Sequence, residues 1–497
     1  MRSRFLILAS FSALVPLLFQ NSRADWVALT GAAAIALLAA FALPVDAYLA
    51  LAAMALLAVI AVLATAVQLD HAVAGFALLV TSGVAFPVEF SGVKGVMMSS
   101  SLPLAGFLCA AWLVRTVSAG SLAVLDRSRV VWAVVTFMAV MLVAFGAGQF
   151  PWFPSGGAPV PAQLVELGIM LISACLFLAV GHQVTSVRQL KVLTWLFVAA
   201  GVFACLVQMV PSLIMTVGPM TSRPSSIGSL FWTWLGAITF AQAIFNRRLA
   251  PAVRVFLLLV TAAVFYHGFF SARAWASGWV PLLAALAAIL LVKLPRLSIS
   301  AAVLAMPVFI LLSSHVSSVW LAEEEYSLAT RQEALRVLWT IIERSPVIGT
   351  GPANYYYYTE NFPILGYYVR FFSHNNYEDL LIQAGVIGLL AFCWLAFEML
   401  RMVARAYGRA PVGFPRAYVV GVFGGLTGSL VAGMLGDWII PFYYNAGILG
   451  FRSSLLLWVF VGGVLALNRM QFNAPDVQAA AADQDFLAFE SHPRAFR

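Results

Sequence analysis

VVWAVVTFMAVMLVAFGAGQ, Val130 to Gln149, is a run of twenty residues without a charge. As a helix rising about 1.5 Å per residue, it matches the roughly 30 Å hydrocarbon core of a bilayer. The run has no strand-like alternation, and a helix satisfies its own backbone where no water can. Similar runs lie near 5–20, 26–43, 47–67, 71–87, 97–117, 163–181, 192–211, 226–245, 253–270, 277–292, 298–314, 377–400, 417–436 and 453–467. Across 497 residues, 62% are hydrophobic and only 10% charged, whereas soluble chains carry about 25% charged residues. The predicted fold class is therefore all-α: a polytopic transmembrane helix bundle of about fourteen spans.

The span count comes from charge. Arg127/Arg129, Arg188/Lys191, Arg247/Arg248/Arg254, Lys293/Arg296, Arg401/Arg405/Arg409/Arg416 and Arg469 mark one side of the connections. By the positive-inside rule that side is cytoplasmic. Fifteen spans with a cytoplasmic C-terminus would put Arg2 and Arg4 outside, so one of the first five runs reads as re-entrant or interfacial. The first run resembles a signal sequence but lacks a small-x-small cleavage site, and is read as a retained helix. The net charge of +8 is spread over these connections, which argues against nucleic-acid binding. The four cysteines sit inside apolar runs without metal spacing and read as packing residues.

One connection is long, roughly 315–376, and long ordered loops tend to be functional. Thr330-Arg331-Gln332-Glu333 fits a capping box, with Thr330 as N-cap. Leu335, Leu338, Trp339 and Ile342 then recur at helical spacing, predicting an amphipathic helix on the membrane or the bundle. Pro346 and Gly349 end it. Arg331 would stand at the first helical position, beside free N–H groups suited to phosphate; the alternative is a solvated surface arginine. Asn375 or Asn376 is the expected N-cap of the next membrane helix, with His374 just before it. There the helix dipole favours a neutral imidazole, able to act as a general base; the alternative is a polar interfacial residue. Arg273, in the tight turn Ser271-Ala272-Arg273-Ala274-Trp275, reads as functional or as snorkelling to headgroups. Tyr355 to Tyr358, Tyr367 and Tyr368 read as an interfacial aromatic belt, with sugar stacking as the alternative. Arg223, Arg370, Asp437 and Arg452 read as outer-side polar residues without a motif.

Taken in order, these residues resemble the O-antigen ligase and O-antigen polymerase family of bacterial membrane glycosyltransferases. The resemblance rests on Ser271-Ala272-Arg273, on Arg331-x-Glu333 followed by Pro346-x-x-Gly349-x-Gly351, and on His374-Asn375-x-Tyr377. The last continues into Gln383 to Leu390 with its Gly-apolar-apolar-Gly stretch. It implies a donor glycan on undecaprenyl pyrophosphate, a glycan or lipid A-core acceptor, and no metal, cofactor or nucleic acid. It makes His374, Arg331 and Arg273 catalytic, and Arg336, Asn375, Tyr377 and Arg370 substrate-binding. The resemblance covers roughly 255–400 and places a catalytic region at 255–467, behind N-terminal helices at 1–125 and central helices at 126–254; the polar, Ala-rich tail at 468–497 reads as disordered and cytoplasmic. The protein would sit in the bacterial inner membrane with its site facing the periplasm. A protein O-oligosaccharyltransferase and a lipid-linked sugar flippase are the other readings.

Overall fold

A computed structural model describes residues 71–85, 89–91, 97–99, 101–118, 128–209, 228–271, 275–293, 324–364 and 366–471. The runs near 5–20, 26–43, 47–67 and 298–314, and the tail beyond 471, lie outside them. The described chain is almost wholly helical: α1 His71–Ala85, α2 Ser101–Ser118, α3 Arg129–Ala147, α4 Val160–Gln183, α5 Val187–Met209, α6 Ser229–Phe245, α7 Pro251–Tyr266 and α8 Ala276–Lys293. Then come α9 Glu324–Arg344, the single turn α10 Tyr355–Tyr358, α11 Asn376–Arg409, α12 Phe414–Ala432 and α13 Gly447–Gln471. The only strands among the described residues pair as two small antiparallel hairpins, β1 Glu89–Ser91 with β2 Met97–Ser99 and β3 Pro363–Ile364 with β4 Tyr367–Tyr368.

Eight of the described helices are long and apolar enough to cross a membrane. The protein is a multi-pass, all-α membrane bundle. Apart from α9 and α10, which lie in the long connection, each described helix overlaps its apolar run closely, except α11, which continues to Arg409. The last helix runs through Gln471, past the expected start of the tail at 468.

α6 and α13 form the centre. α6 is apolar on every side and almost entirely buried, as befits a helix surrounded by others. α13 packs along α4, and α12 lies against both α6 and α8. Small residues allow that approach: a Cβ at Gly428 would come within 2.5 Å of the Pro281 carbonyl. Polar tips in this core are paired, with Trp234 Nε1 donating to Ser429 Oγ at 3.1 Å and the Tyr418 hydroxyl to the Phe460 carbonyl at 2.8 Å. All four cysteines are free, and Cys109 and Cys205 are buried.

One end of the bundle is capped by three segments: 148–159, 345–375 and 433–446. Asn354, fully buried, fastens two of them. Its Oδ1 accepts from Ala158 N, and its Nδ2 donates to the carbonyls of Gly148 and Thr350, all at 2.9 Å.

Candidate functional site: a histidine on a broken helix

α11 is not continuous. Gly385 has φ 66° and ψ −170°, which breaks the helix one-quarter of the way along. A break in a membrane helix frees backbone groups that must find partners. Here the 346–351 loop supplies them. Thr350 N and Gly351 N donate to the carbonyls of Ile382 and Gln383 at 2.9 Å, and Val386 N and Ile387 N donate to those of Pro346 and Val347 at 2.8 and 3.3 Å. The two backbones are so close that a Cβ at Gly385 would meet the Val347 carbonyl at 2.2 Å, and one at Gly349 would meet Ala384 N at 2.4 Å. The proline-glycine motif and the Gly-apolar-apolar-Gly motif are thus two sides of one joint.

The short upper half of α11 carries His374 at its entrance. Asn375 is the N-cap, its side chain accepting from Tyr377 N at 3.0 Å. His374 itself takes a left-handed φ of 58°, uncommon for a residue with a Cβ. It is exposed, with its ring 4.3 Å from that of Phe372. Strain of this kind persists only where the surroundings over-determine it, and they do so here. Ser373 Oγ accepts from Asn375 N at 3.1 Å and donates to Asp379 Oδ1 at 2.8 Å. The same carboxyl oxygen takes the Tyr355 hydroxyl, which accepts from Ser373 N at 3.3 Å. Asn376, buried, donates through N to the Gly433 carbonyl at 2.9 Å and through Nδ2 to that of Ile440 at 2.7 Å, while its Oδ1 accepts from Ile439 N at 2.8 Å.

Asp437 holds the facing loop. Its carboxyl accepts from Phe442 N at 2.7 Å and Asn445 Nδ2 at 2.5 Å. Burial pushes its pKa up, offset by these donors and by the charge of nearby His374. Glu166 of α4, fully buried, accepts from Tyr443 N at 2.7 Å. Glu166 Oε1 and Asp379 Oδ2 are both buried without a hydrogen-bond partner.

Several expectations change. Thr330 does not cap a helix, and Arg331 is not at a helix start: α9 begins at Glu324, two turns earlier. Acidic residues favour a helix N-terminus, and Glu324 and Glu325 in the sequence already mark it. The phosphate argument from free N–H groups therefore fails, and the Arg331 side chain lies outside the described residues. So do Arg273 and Arg223. The apolar stripe of α9 is also rotated. Val337, Leu338, Ile341 and Ile342 are buried, whereas Leu335 and Trp339 are 49% and 54% exposed. Arg336 is exposed beside Glu333 at 3.8 Å. Arg370 pairs with Glu360 at 2.6 Å and lies 4.1 Å from the Tyr357 ring centre. The Tyr377 hydroxyl donates to the Leu430 carbonyl at 2.7 Å, inside the bundle. Tyr355 and Tyr358 are buried rather than belted, while Tyr367 and Tyr368 are exposed. Asp437 and Arg452, read from the sequence as outer-side polar residues, are buried.

The family comparison fits this geometry. The O-antigen ligase model matches residues 212–393, a span that takes in the break in α11 and the His374 turn. Over residues 212–393 the chain is similar to the O-antigen ligase family. No curated protein matches the chain. Among solved structures, one titled "Structural coordination of polymerization and crosslinking by a peptidoglycan synthase complex" aligns with a TM-score of 0.39 and 16% identity, covering 68% of this chain and 96% of that one. That likeness is too slight to bear on fold or function.

Proposed function

We propose that the protein is a metal-independent glycosyltransferase that transfers or polymerises undecaprenyl-pyrophosphate-linked glycan. It would act at the periplasmic face of the inner membrane, in the synthesis of lipopolysaccharide or exopolysaccharide. The observation that carries this is His374, held exposed in a left-handed turn within the family-matched region. In this reading the His374 imidazole accepts the proton of an acceptor hydroxyl as its oxygen bonds to the anomeric carbon. The bond from that carbon to the pyrophosphate oxygen breaks, and the electron pair leaves with the carrier. Arg331 and Arg273 stabilise the charge that develops there, as forked and permanently protonated donors. Arg336, Arg370, Asn375 and Tyr377 belong to substrate binding. Asn375 also fixes the turn as its N-cap, and the Tyr377 hydroxyl ties it to the Leu430 carbonyl of α12.

The test is transfer by purified protein in detergent, from an undecaprenyl-pyrophosphate-linked oligosaccharide to a second lipid-linked repeat, lipid A-core, or a serine-containing peptide. Transfer unaffected by a chelator supports the reading, and the acceptor used names the subclass. Donor translocation in liposomes without transfer would replace it with a flippase.

A further inference from the structure

Two segments far apart in sequence bring four tyrosine rings together on the cap. Tyr356 and Tyr357 come from α10, and Tyr443 and Tyr444 from the loop before α13. Tyr356 and Tyr444 stack at 4.4 Å and 10°; Tyr357 and Tyr443 meet Tyr444 edge-on, at 5.6 Å and 63° and at 4.8 Å and 78°. All four rings are half-buried, and three of them rest on the small residues Ala158, Ala162 and Ala353. The Arg370–Glu360 pair forms the edge, its two side chains 39% and 46% exposed.

A belt of interfacial tyrosines would meet lipid singly, ring by ring. These rings instead pack on one another as a half-buried cluster, with the Arg370–Glu360 ion pair beside Tyr357. A pyranose has the complementary shape, with an apolar C–H face and a rim of hydroxyls. The cluster is also continuous with the His374 turn. Tyr355, next to Tyr356, receives Ser373 N and stacks on Phe442 at 4.8 Å. Asp437, in the field of His374, holds Phe442 and Asn445 on either side of Tyr444.

We propose that Tyr356, Tyr357 and Tyr444, edged by Arg370 and Glu360, form a carbohydrate subsite for a pyranose ring of the acceptor glycan. This rests on the glycosyl-transfer reading, in which His374 faces the acceptor hydroxyl and the arginines face the carrier pyrophosphate. Losing one stacking ring is expected to raise the acceptor KM about tenfold in Tyr444→Ala, with a smaller change in donor KM. Tyr444→Phe, which keeps the ring, is expected to restore most of that loss. Arg370→Leu, at an exposed position where folding is not at stake, is expected to shift acceptor KM the same way.

Binding is read separately, by saturation-transfer NMR of lipid-free glycan released from the producing cells, added to protein in nanodiscs. Saturation is expected with wild type and lost in Tyr444→Ala and Arg370→Leu. An unchanged acceptor KM in folded variants, a change confined to donor KM, or no saturation with wild type would each overturn the subsite. Saturation that depends on these residues, in a protein that transfers nothing, would keep the subsite and overturn the transfer reading.

Discussion

His374 sits in a conformation that residues with side chains avoid, and the cost is met by a network that includes the buried Tyr355, Asn376 and Asp379. Tyr355 and Asp379 do the most. They meet under the turn, and each bonds Ser373 as well. A hydrogen bond to a carboxyl contributes about 1–3 kcal/mol. In Tyr355→Phe the turn loses one of its ties while the ring stays packed on Phe442. Displacing a catalytic group by about 1 Å can cost up to roughly a hundredfold in rate. Tyr355→Phe is accordingly expected to lower kcat about tenfold while the amount of folded protein, read by size exclusion, holds. A wild-type kcat would show that the tie does not position His374. The sequence disclosed His374 and its N-cap because helix starts have local signatures. It did not disclose Asp379, Glu166 or Asp437 as a buried set, because they come from three separate segments. Glu166 and Asp379, carboxyls inside the apolar runs 163–181 and 377–400, were the available signals.

Among the elements, α11 and α9 separate what local pattern can and cannot specify. The glycines at 349 and 385 read as family motif, yet only the fold shows that they face one another. Gly385→Ala is expected to cost about 1–3 kcal/mol from backbone strain alone, before the clash with Val347. A fall in thermal midpoint in detergent, together with lost activity, checks this; an unaltered midpoint would refute the joint. For α9, the spacing of Leu335, Leu338, Trp339 and Ile342 predicted a helix on the membrane or the bundle, and Leu338 and Ile342 face the bundle while Leu335 and Trp339 do not. An apolar stripe on a helix near a membrane can face either the protein or lipid, so period alone does not choose. Ile341 is fully buried and Leu335 is not. Ile341→Ala is expected to cost about 2–5 kcal/mol and Leu335→Ala within about 0.5 kcal/mol, compared by denaturation in the same detergent. Equal losses would mean that α9 packs on another face.

At the scale of the molecule, hydropathy alone placed nearly every described helix, because apolar length is the dominant constraint in a bilayer. Orientation rests on charge bias. If the cap faces the periplasm, Tyr368→Cys in a cysteine-free background should react with a membrane-impermeant maleimide in spheroplasts, and Arg247→Cys only after permeabilisation. The reverse pattern would invert the topology and remove the periplasmic site. Arg273 and Arg331 enter the account as charge-stabilising partners by family resemblance, whereas His374 rests on resemblance and geometry together. The most direct measurement is therefore single-turnover glycan transfer by wild type and His374→Ala in proteoliposomes, from a defined undecaprenyl-pyrophosphate-linked oligosaccharide. The expected result is transfer by wild type, and a loss of about a hundredfold or more in His374→Ala, as for a general base, with donor binding retained. Transfer by a folded His374→Ala at the wild-type rate would contradict the assignment.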